Sequence, residues 1–323
     1  MTIAFVGFSY GPRYQQFLPL YAETVLRCNP DAALLLYVDR KLDRSVAELL
    51  EKVRADHGAD VRVRESYSFG MRPREFNALS SQGKRALRWL FYDDAFAEFD
   101  HIYLGDIDML MLPEAENLED AHRRHAESLG LPYSNYLRVQ QVGGRGSARA
   151  VLGALKIGDF KGARDTLRYV DPHTVRRLSG LHFIVVDDYF PVVRAQMDRF
   201  RQSVFDRRSF PLNDEQVLFN LMTASGFAQP PVSTTGPDLD PSHSQLVAFR
   251  PHHGIHLGIF RSKDPMASQA QVLSSYVYSD YFESYAALLN DKRFTDLLRA
   301  SGPLVQDQIA GLDRFMIRRA GQP

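Results

Sequence analysis

The sequence predicts an α/β fold in which a parallel sheet is wound by right-handed β-α-β units, and three observations predict it. Strand-length and helix-length apolar patterns alternate four times within about a hundred residues. The polar residues Ser9-Tyr10, Asp39 and Asp106/Asp108 all fall at the carboxyl ends of the candidate strands, where sheets of this kind bind their ligands. Hydrophobic residues make up 45% of the 323-residue chain, enough for a sizeable core.

Ile3 to Phe8 is an apolar run of strand length, and Tyr14 to Arg27 follows with apolar residues at Phe17, Leu18, Tyr21, Val25 and Leu26, a helical spacing that Asn29-Pro30 ends. Ala33 to Val38 reads as the second strand, Leu42 to His57 as a helix closed by Gly58, and Val61 to Arg64 as the third strand. A polar stretch from Ser66 to Gln82 precedes a helical pattern from Lys84 to Phe99. The fourth strand begins at Ile102. After Pro113 the alternation stops. Glu114 to Gly130 reads as a charged surface helix and Tyr133 to Gly162 as irregular, with a mobile loop at Gly143-Gly-Arg-Gly146. Leu181 to Val186 is a further strand followed by Asp187-Asp188, and Asp214 to Ser225 is a helix with acidic residues in its first turn, where the helix dipole favours them. Thr234 to Ser244 reads as a loop. Phe282 to Ala300 and Val305 to Arg319 form a carboxyl-terminal helical extension. The organisation expected is one α/β domain over 1–262, with halves 1–113 and 114–262, and the extension over 263–323.

Lys plus Arg and Asp plus Glu number 39 each, so no net field draws the chain to nucleic acid or an anionic membrane. The single cysteine, Cys28, excludes an internal disulfide framework and points to a reducing compartment. The amino terminus reads as a first strand, not a leader, and no apolar run is long enough for a membrane span, so a cytoplasmic protein is expected. Arg314-Phe-Met-Ile-Arg-Arg319 offers peripheral membrane contact through the last helix, although a plain terminal helix accounts for it as well.

The chemistry is concentrated at His101 to Pro113. A β-prone run breaks at Gly105, two carboxylates follow at Asp106 and Asp108, and apolar residues resume at Met109. Carboxylates between two apolar runs call for a cation, a cationic side chain or an opening to solvent, and a hard divalent ion with oxygen ligands is the sharpest answer. A solvated turn is the plain alternative. The run from His252 and His253 through His256 to Arg261 and Lys263 could supply one imidazole to a metal and cations to phosphate oxygens, its glycines letting backbone approach a ligand. His122 and His125 share a helical face without a zinc-protease pattern, and Gly153 to Gly158 lacks the ending of a phosphate loop.

Asp106-Ile-Asp108 after a strand, preceded by the arginine-bearing helix Lys84-Arg-Ala-Leu-Arg-Trp-Leu, resembles the metal-dependent glycosyltransferases of the GT-A fold. The likeness is greatest to the retaining group that includes glycogenin and lipopolysaccharide galactosyltransferases. It implies a Rossmann-like mixed sheet with helices on both faces and a nucleotide-sugar donor, a UDP-sugar in that group. It also implies Mn²⁺ or Mg²⁺ held by Asp106, Asp108 and His256, with His253 competing for the last place. Ser9, Tyr10, Asp39 and Asp106 would bind the nucleoside, Arg88 and Lys263 the diphosphate, and Gly180 and His182 of Ser179-Gly-Leu-His182 the acceptor, a saccharide or lipid-linked glycan. Asp214 and Glu215 of Asn213-Asp-Glu-Gln216 would face the transferred sugar as catalytic residues. Two departures stand out: Gly105 shifts the acidic pair one residue later than usual, and the late motif reads His-Leu-Gly.

Rival readings are an aspartate-nucleophile phosphatase, a sugar-phosphate nucleotidyltransferase and a non-catalytic carbohydrate-binding protein. The phosphatase normally carries its pair on the first strand with Thr following, whereas Met109-Leu110 follow here, and the nucleotidyltransferase needs a glycine-rich basic signature that is missing after Phe8.

Overall fold

In the computed structural model, which describes residues 2–114, 116–141, 152, 155, 160, 164, 174–205, 212–230, 254–261 and 281–320, the amino-terminal apolar runs become strands. These are β1 (Ile3–Ser9), β2 (Ala33–Val38), β3 (Val61–Arg64) and β4 (His101–Gly105), separated by α1 (Leu18–Cys28), α2 (Arg44–His57), α3 (Pro73–Ala78) and α4 (Ser81–Leu87). They pair in parallel in the order β3-β2-β1-β4, with Gly7 opposite Leu36 on one side and Gly105 on the other.

Beyond β4 the sheet becomes mixed. A short strand β5 (Met109–Met111) and helix α5 (Leu118–Leu129) lead to β6 (Tyr133–Ser134) and β7 (Leu137–Gln141), and later come β8 (Thr174–Leu178), β9 (His182–Val185), α6 (Val186–Phe205) and α7 (Asp214–Ala224). Strand β9 runs antiparallel between β4 and β6, completing the six-stranded order β3-β2-β1-β4-β9-β6. Strand β10 (Gly254–His256) pairs antiparallel with β5, and the chain closes with α8 (Phe282–Asn290), α9 (Lys292–Ala300) and α10 (Pro303–Ala320).

Alternation along the central strands divides the core into two layers. Ile3, Phe5, Leu34 and Leu36 pack with α1, α2 and the last three helices, whereas Ala4, Val6, Leu35 and Tyr37 pack with α3, α4, α6 and α7. Helices therefore cover both faces, as expected. Among the described residues no helix is long and apolar enough to cross a membrane.

Four expectations change. The pattern from Lys84 to Phe99 is not one helix. After Leu87 the backbone tightens into three-residue turns, and Trp89, Leu90 and Phe91 are all buried. Asp93 then caps a separate 3₁₀ turn, Asp94–Glu98, by accepting the Ala95 N–H at 3.0 Å. The stretch expected to be irregular after Tyr133 contains β6 and β7, and the partner of β7 is β8, so no tight-turn signal marks the pair. Phe282 to Ala300 splits at Asp291, which caps α9 through the Phe294 N–H at 3.0 Å and pairs with Arg27 at 2.8 Å. Within the polar stretch from Ser66 to Gln82, α3 forms and α4 begins. Asp187 and Asp188 lie in the first turn of α6, where the dipole favours them. The loops read at 143–146 and 234–244 lie outside the described residues.

Candidate active site

The chain leaves β4 at Gly105 and turns through Asp106 to Asp108, anchored by the buried Ile107, before β5 begins. Pairing of β10 with β5 sets His256 opposite Met109, and the Leu257 N–H donates to the Asp108 carbonyl at 2.8 Å. His256 Nε2 thereby comes within 3.2 Å of Asp108 Oδ1. The close pairing depends on Gly254: a Cβ there would stand 2.2 Å from the Leu110 carbonyl oxygen. Gly254 thus serves the close approach of strand to strand.

Ligand atoms of Asp106, Asp108 and His256 all lie within 4.8 Å of one another. Asp108 is 4% exposed, and an ionised carboxylate so buried needs positive charge beside it. Two carboxylates with one imidazole match the ligand preferences of Mn²⁺, and of Mg²⁺ when water completes the shell. The donor set therefore fits the divalent ion that the family resemblance implies.

Arg88 links this group to the helix α7. Its Nη1 donates to Asp106 Oδ1 at 2.5 Å and its Nη2 to Asp214 Oδ2 at 2.6 Å, while its guanidinium lies 4.4 Å over the Trp89 ring. Burial disfavours its charge, but the two carboxylates outweigh that and hold its pKa above the ordinary value. Gly180 sits against the same cluster, where a Cβ would be 3.0 Å from Arg88 Nη2, 3.4 Å from Asp106 Oδ2 and 3.8 Å from Glu215 Oε1. Glu215 accepts from Arg138 Nη1 at 2.9 Å and pairs with Arg177 at 3.5 Å. Arg138 and Arg177 are direct cross-strand partners in β7 and β8, a juxtaposition of like charges that Glu215 offsets. Burial raises the Glu215 pKa above its usual value although both arginines oppose the shift.

In front of the acidic group opens a crevice of about 620 Å³, whose lining includes Tyr10, Asp39, Lys84, Arg88, Asp106, Asp108 and His256. Asp39 accepts the Gly11 N–H at 3.0 Å and Arg40 Nε at 2.9 Å, fixing the loop after β1. Tyr10 borders the crevice, yet its ring stacks with Phe8 and Phe69 and its buried phenol has no hydrogen-bond partner; burial, partly offset by Arg88, raises its pKa well above the ordinary value. Ser9 is fully buried with an unpartnered hydroxyl, and its carbonyl accepts the Asp39 N–H at 3.2 Å.

The structure thus brings Tyr10, Asp39, Arg88, Asp106, Asp108 and His256 to one crevice, with Gly180, Asp214 and Glu215 behind Arg88. Ser9 and His182 stand apart from its lining. His182 is buried, with Nδ1 3.0 Å from Asn135 Nδ2 and Nε2 3.2 Å from the Tyr189 hydroxyl, and burial lowers its pKa to about 3. Of the acceptor pair only Gly180 reaches the polar cluster. His252, His253 and Lys263 lie outside the described residues. His122 and His125 turn their Nδ1 atoms to the Ser134 hydroxyl, at 2.8 and 2.9 Å, away from the acidic pair.

Lys84, Arg85, Arg40 and Tyr14 also line the crevice and were given no site role from sequence, whereas Gly258, a glycine of the late histidine motif, lines it where backbone was expected to approach a ligand. A signal existed for Lys84, which precedes Arg88 by one helical repeat. None existed for Arg138 and Arg177, because their pairing is purely tertiary.

No protein-family model matches the chain, and no curated protein matches it in sequence. Solved structures do match in fold. The mannosyltransferase Ktr4p from S. cerevisiae in complex with GDP is 7% identical with a TM-score of 0.46, over 85% of this chain and 81% of that one. A second structure of Ktr4p matches over 67% of this chain and 64% of its own, at 7% identity and a TM-score of 0.42. The galactosyltransferase LgtC with donor and acceptor sugar analogues is 13% identical at a TM-score of 0.33, over 83% of each chain. The bifunctional glycosyltransferase WbbM is 12% identical at 0.45, over 93% of this chain but only 52% of its own. Each of these proteins is a glycosyltransferase, and this chain is similar to them in fold alone.

Proposed function

We propose that the chain is a metal-dependent glycosyltransferase that moves a sugar from a nucleoside-diphosphate donor, a UDP-sugar by the family resemblance, to a saccharide or lipid-linked glycan with retention of configuration. The observation that carries this reading is the convergence of Asp106, Asp108 and His256 on one wall of a crevice that also carries Lys84, Arg85 and Arg88. Carboxylates and cations around one cavity suit a polyanionic ligand bridged by a divalent ion.

In this reading Asp106, Asp108 and His256 hold Mn²⁺ or Mg²⁺, which as a Lewis acid would stabilise the diphosphate leaving group. Lys84, Arg85 and Arg88 offset the phosphate charge that grows as the sugar-phosphate bond breaks. Asp39 offers a carboxylate to the ribose hydroxyls. Asp214 keeps Arg88 in place through the 2.6 Å bond, and Glu215, next to the open side of Gly180, faces the transferred sugar, where it steadies positive charge at the reacting carbon or binds hydroxyls.

The test is release of nucleoside diphosphate from UDP-glucose, UDP-galactose and GDP-mannose with Mn²⁺, with and without EDTA. Metal-dependent release that disappears in Asp106→Asn is expected. Hydrolysis of p-nitrophenyl phosphate that depends on Asp106, with no release from any nucleotide sugar, would replace this reading with the phosphatase.

A further inference from the structure

Strand β10 has three residues and, among the described residues, pairs with β5 alone, so little ladder is available to hold His256 beside Asp108. At the end of the pair away from the acidic group, the facing residues Gly254 and Met111 both give their backbone N–H to side-chain hydroxyls. Gly254 donates to Tyr281 at 2.9 Å and Met111 to Thr24 at 3.2 Å. The Tyr281 hydroxyl in turn donates to the Glu114 carboxylate, just beyond β5. One phenol, 2% exposed, therefore ties the first residue of β10 to the chain that follows its partner strand. Tyr281 stands at the amino-terminal cap position of α8 and is not part of the crevice lining. Beyond His256 the carboxyl-terminal helices take hold again. Phe260 packs on Phe315 of α10 with ring centres 5.9 Å apart, and a Cβ on Gly311 would be 3.0 Å from the Phe260 Cβ.

We infer that Tyr281 is a positioning residue for the divalent ion: its hydroxyl fixes the register of β10 and so sets the His256 imidazole at the ion held by Asp106 and Asp108. This rests on the metal-dependent reading. Gly254 and His256 lie two residues, about 7 Å, apart on one face of the strand. With the phenol hydroxyl removed, the Gly254 N–H is left buried without an acceptor, while the half-buried Glu114 can turn to water. That N–H regains a partner only if Gly254 shifts, and a strand of three residues carries the shift to His256. The Leu257 N–H bond to the Asp108 carbonyl pins the chain on one side of His256 and Tyr281 pins it on the other, so the direction of the imidazole needs both. Groups that orient a metal ligand without touching the ion change affinity by about tenfold to a hundredfold.

Titration calorimetry of Mn²⁺ into the full chain compares wild type with Tyr281→Phe and Tyr285→Phe. Tyr285 is a matched control: it lies one turn further along α8, is likewise 2% exposed, and its hydroxyl donates to Asp313 of α10 at 2.5 Å rather than to β10. Tyr281→Phe is expected to bind Mn²⁺ about tenfold more weakly and Tyr285→Phe as wild type does, although each loses a buried hydrogen bond. Spin-echo spectroscopy of the bound Mn²⁺ gives a readout that lost stability alone does not move. The nitrogen coupling of the His256 ring should be present in wild type and in Tyr285→Phe and reduced in Tyr281→Phe. Glu114→Gln keeps an acceptor for the phenol and should bind as wild type does, whereas Glu114→Ala should bind about threefold more weakly, a second measure if Tyr281→Phe does not fold. Mn²⁺ affinity unchanged in Tyr281→Phe or in Glu114→Ala, an equal loss in Tyr285→Phe, or unaltered nitrogen coupling in Tyr281→Phe would overturn the inference. Failure of wild type to bind Mn²⁺ would instead count against the metal-dependent reading.

Discussion

Replacing Arg88 by methionine keeps the length of the side chain and removes a charge that two carboxylates share. Asp214, 11% exposed in its side chain, loses its 2.6 Å partner and is left ionised in a nearly dry setting. Asp106, 34% exposed, is screened by water, so its share of the loss is small. Stranding one partner of a buried ion pair costs about 3 to 5 kcal/mol, and the exposure of Asp106 puts Arg88→Met near the lower end, at about 3 kcal/mol. The double variant Arg88→Met/Asp214→Asn removes the stranded charge, and about 2 kcal/mol should return. Urea unfolding followed by fluorescence measures both, since the only tryptophan, Trp89, lies directly under the Arg88 guanidinium. A loss below about 1 kcal/mol in Arg88→Met, or a double variant no more stable than the single one, would refute the idea that Arg88 and Asp214 form one charge unit.

Three further outcomes follow from the same geometry. Gly254→Ala forces a Cβ against the Leu110 carbonyl, and because backbone cannot swing aside, a loss of about 1 to 3 kcal/mol in urea unfolding is expected, together with weaker Mn²⁺ binding as β10 leaves β5. His182, its pKa lowered by burial to about 3, stays neutral in the fold while the unfolded chain takes up a proton below pH 6.5. Stability is therefore lost as pH falls from 6.5 toward 3, by about 1.4 kcal/mol per pH unit, and His182→Gln should flatten that limb of a pH-stability profile. Glu215 has the opposite sign: burial raises its pKa, the folded state holds the proton more tightly, and its ionisation lowers stability as pH rises through the shifted value. Wild type should thus lose stability relative to Glu215→Gln as pH rises from about 4.5, and a difference that grows in the other direction would show that Arg138 and Arg177 outweigh burial.

What could be read in advance was whatever repeats locally. The runs at Ile3, Ala33 and Val61 announced strands because short apolar segments bounded by polar residues have few other uses, and their alternation with helical spacing implied parallel pairing. Reading stopped where the decisive contact is remote. Trp89 to Phe91 have helix-compatible composition, yet the α-helix ends at Leu87 and the backbone continues in three-residue turns, a change that no residue pattern there announces. Strand β7 has no sequence neighbour to pair with, and the Arg138–Arg177–Glu215 cluster joins three separate elements. In the site, Asp106 and Asp108 were legible from their place after a strand, and His256 from its motif. That Arg88 bridges Asp106 to Asp214, and that His182 is enclosed by Trp89, Tyr133 and Tyr189, depend on packing that spacing does not encode.

Titration calorimetry of UDP into the chain, with Mn²⁺ and after chelation, bears most directly on whether Asp106, Asp108 and His256 grip a cation that holds a diphosphate. Binding is expected only with the metal, and Asp108→Asn should abolish it while urea unfolding shows the fold intact. UDP bound equally well in EDTA, or Mn²⁺-dependent binding untouched in Asp108→Asn, would contradict it.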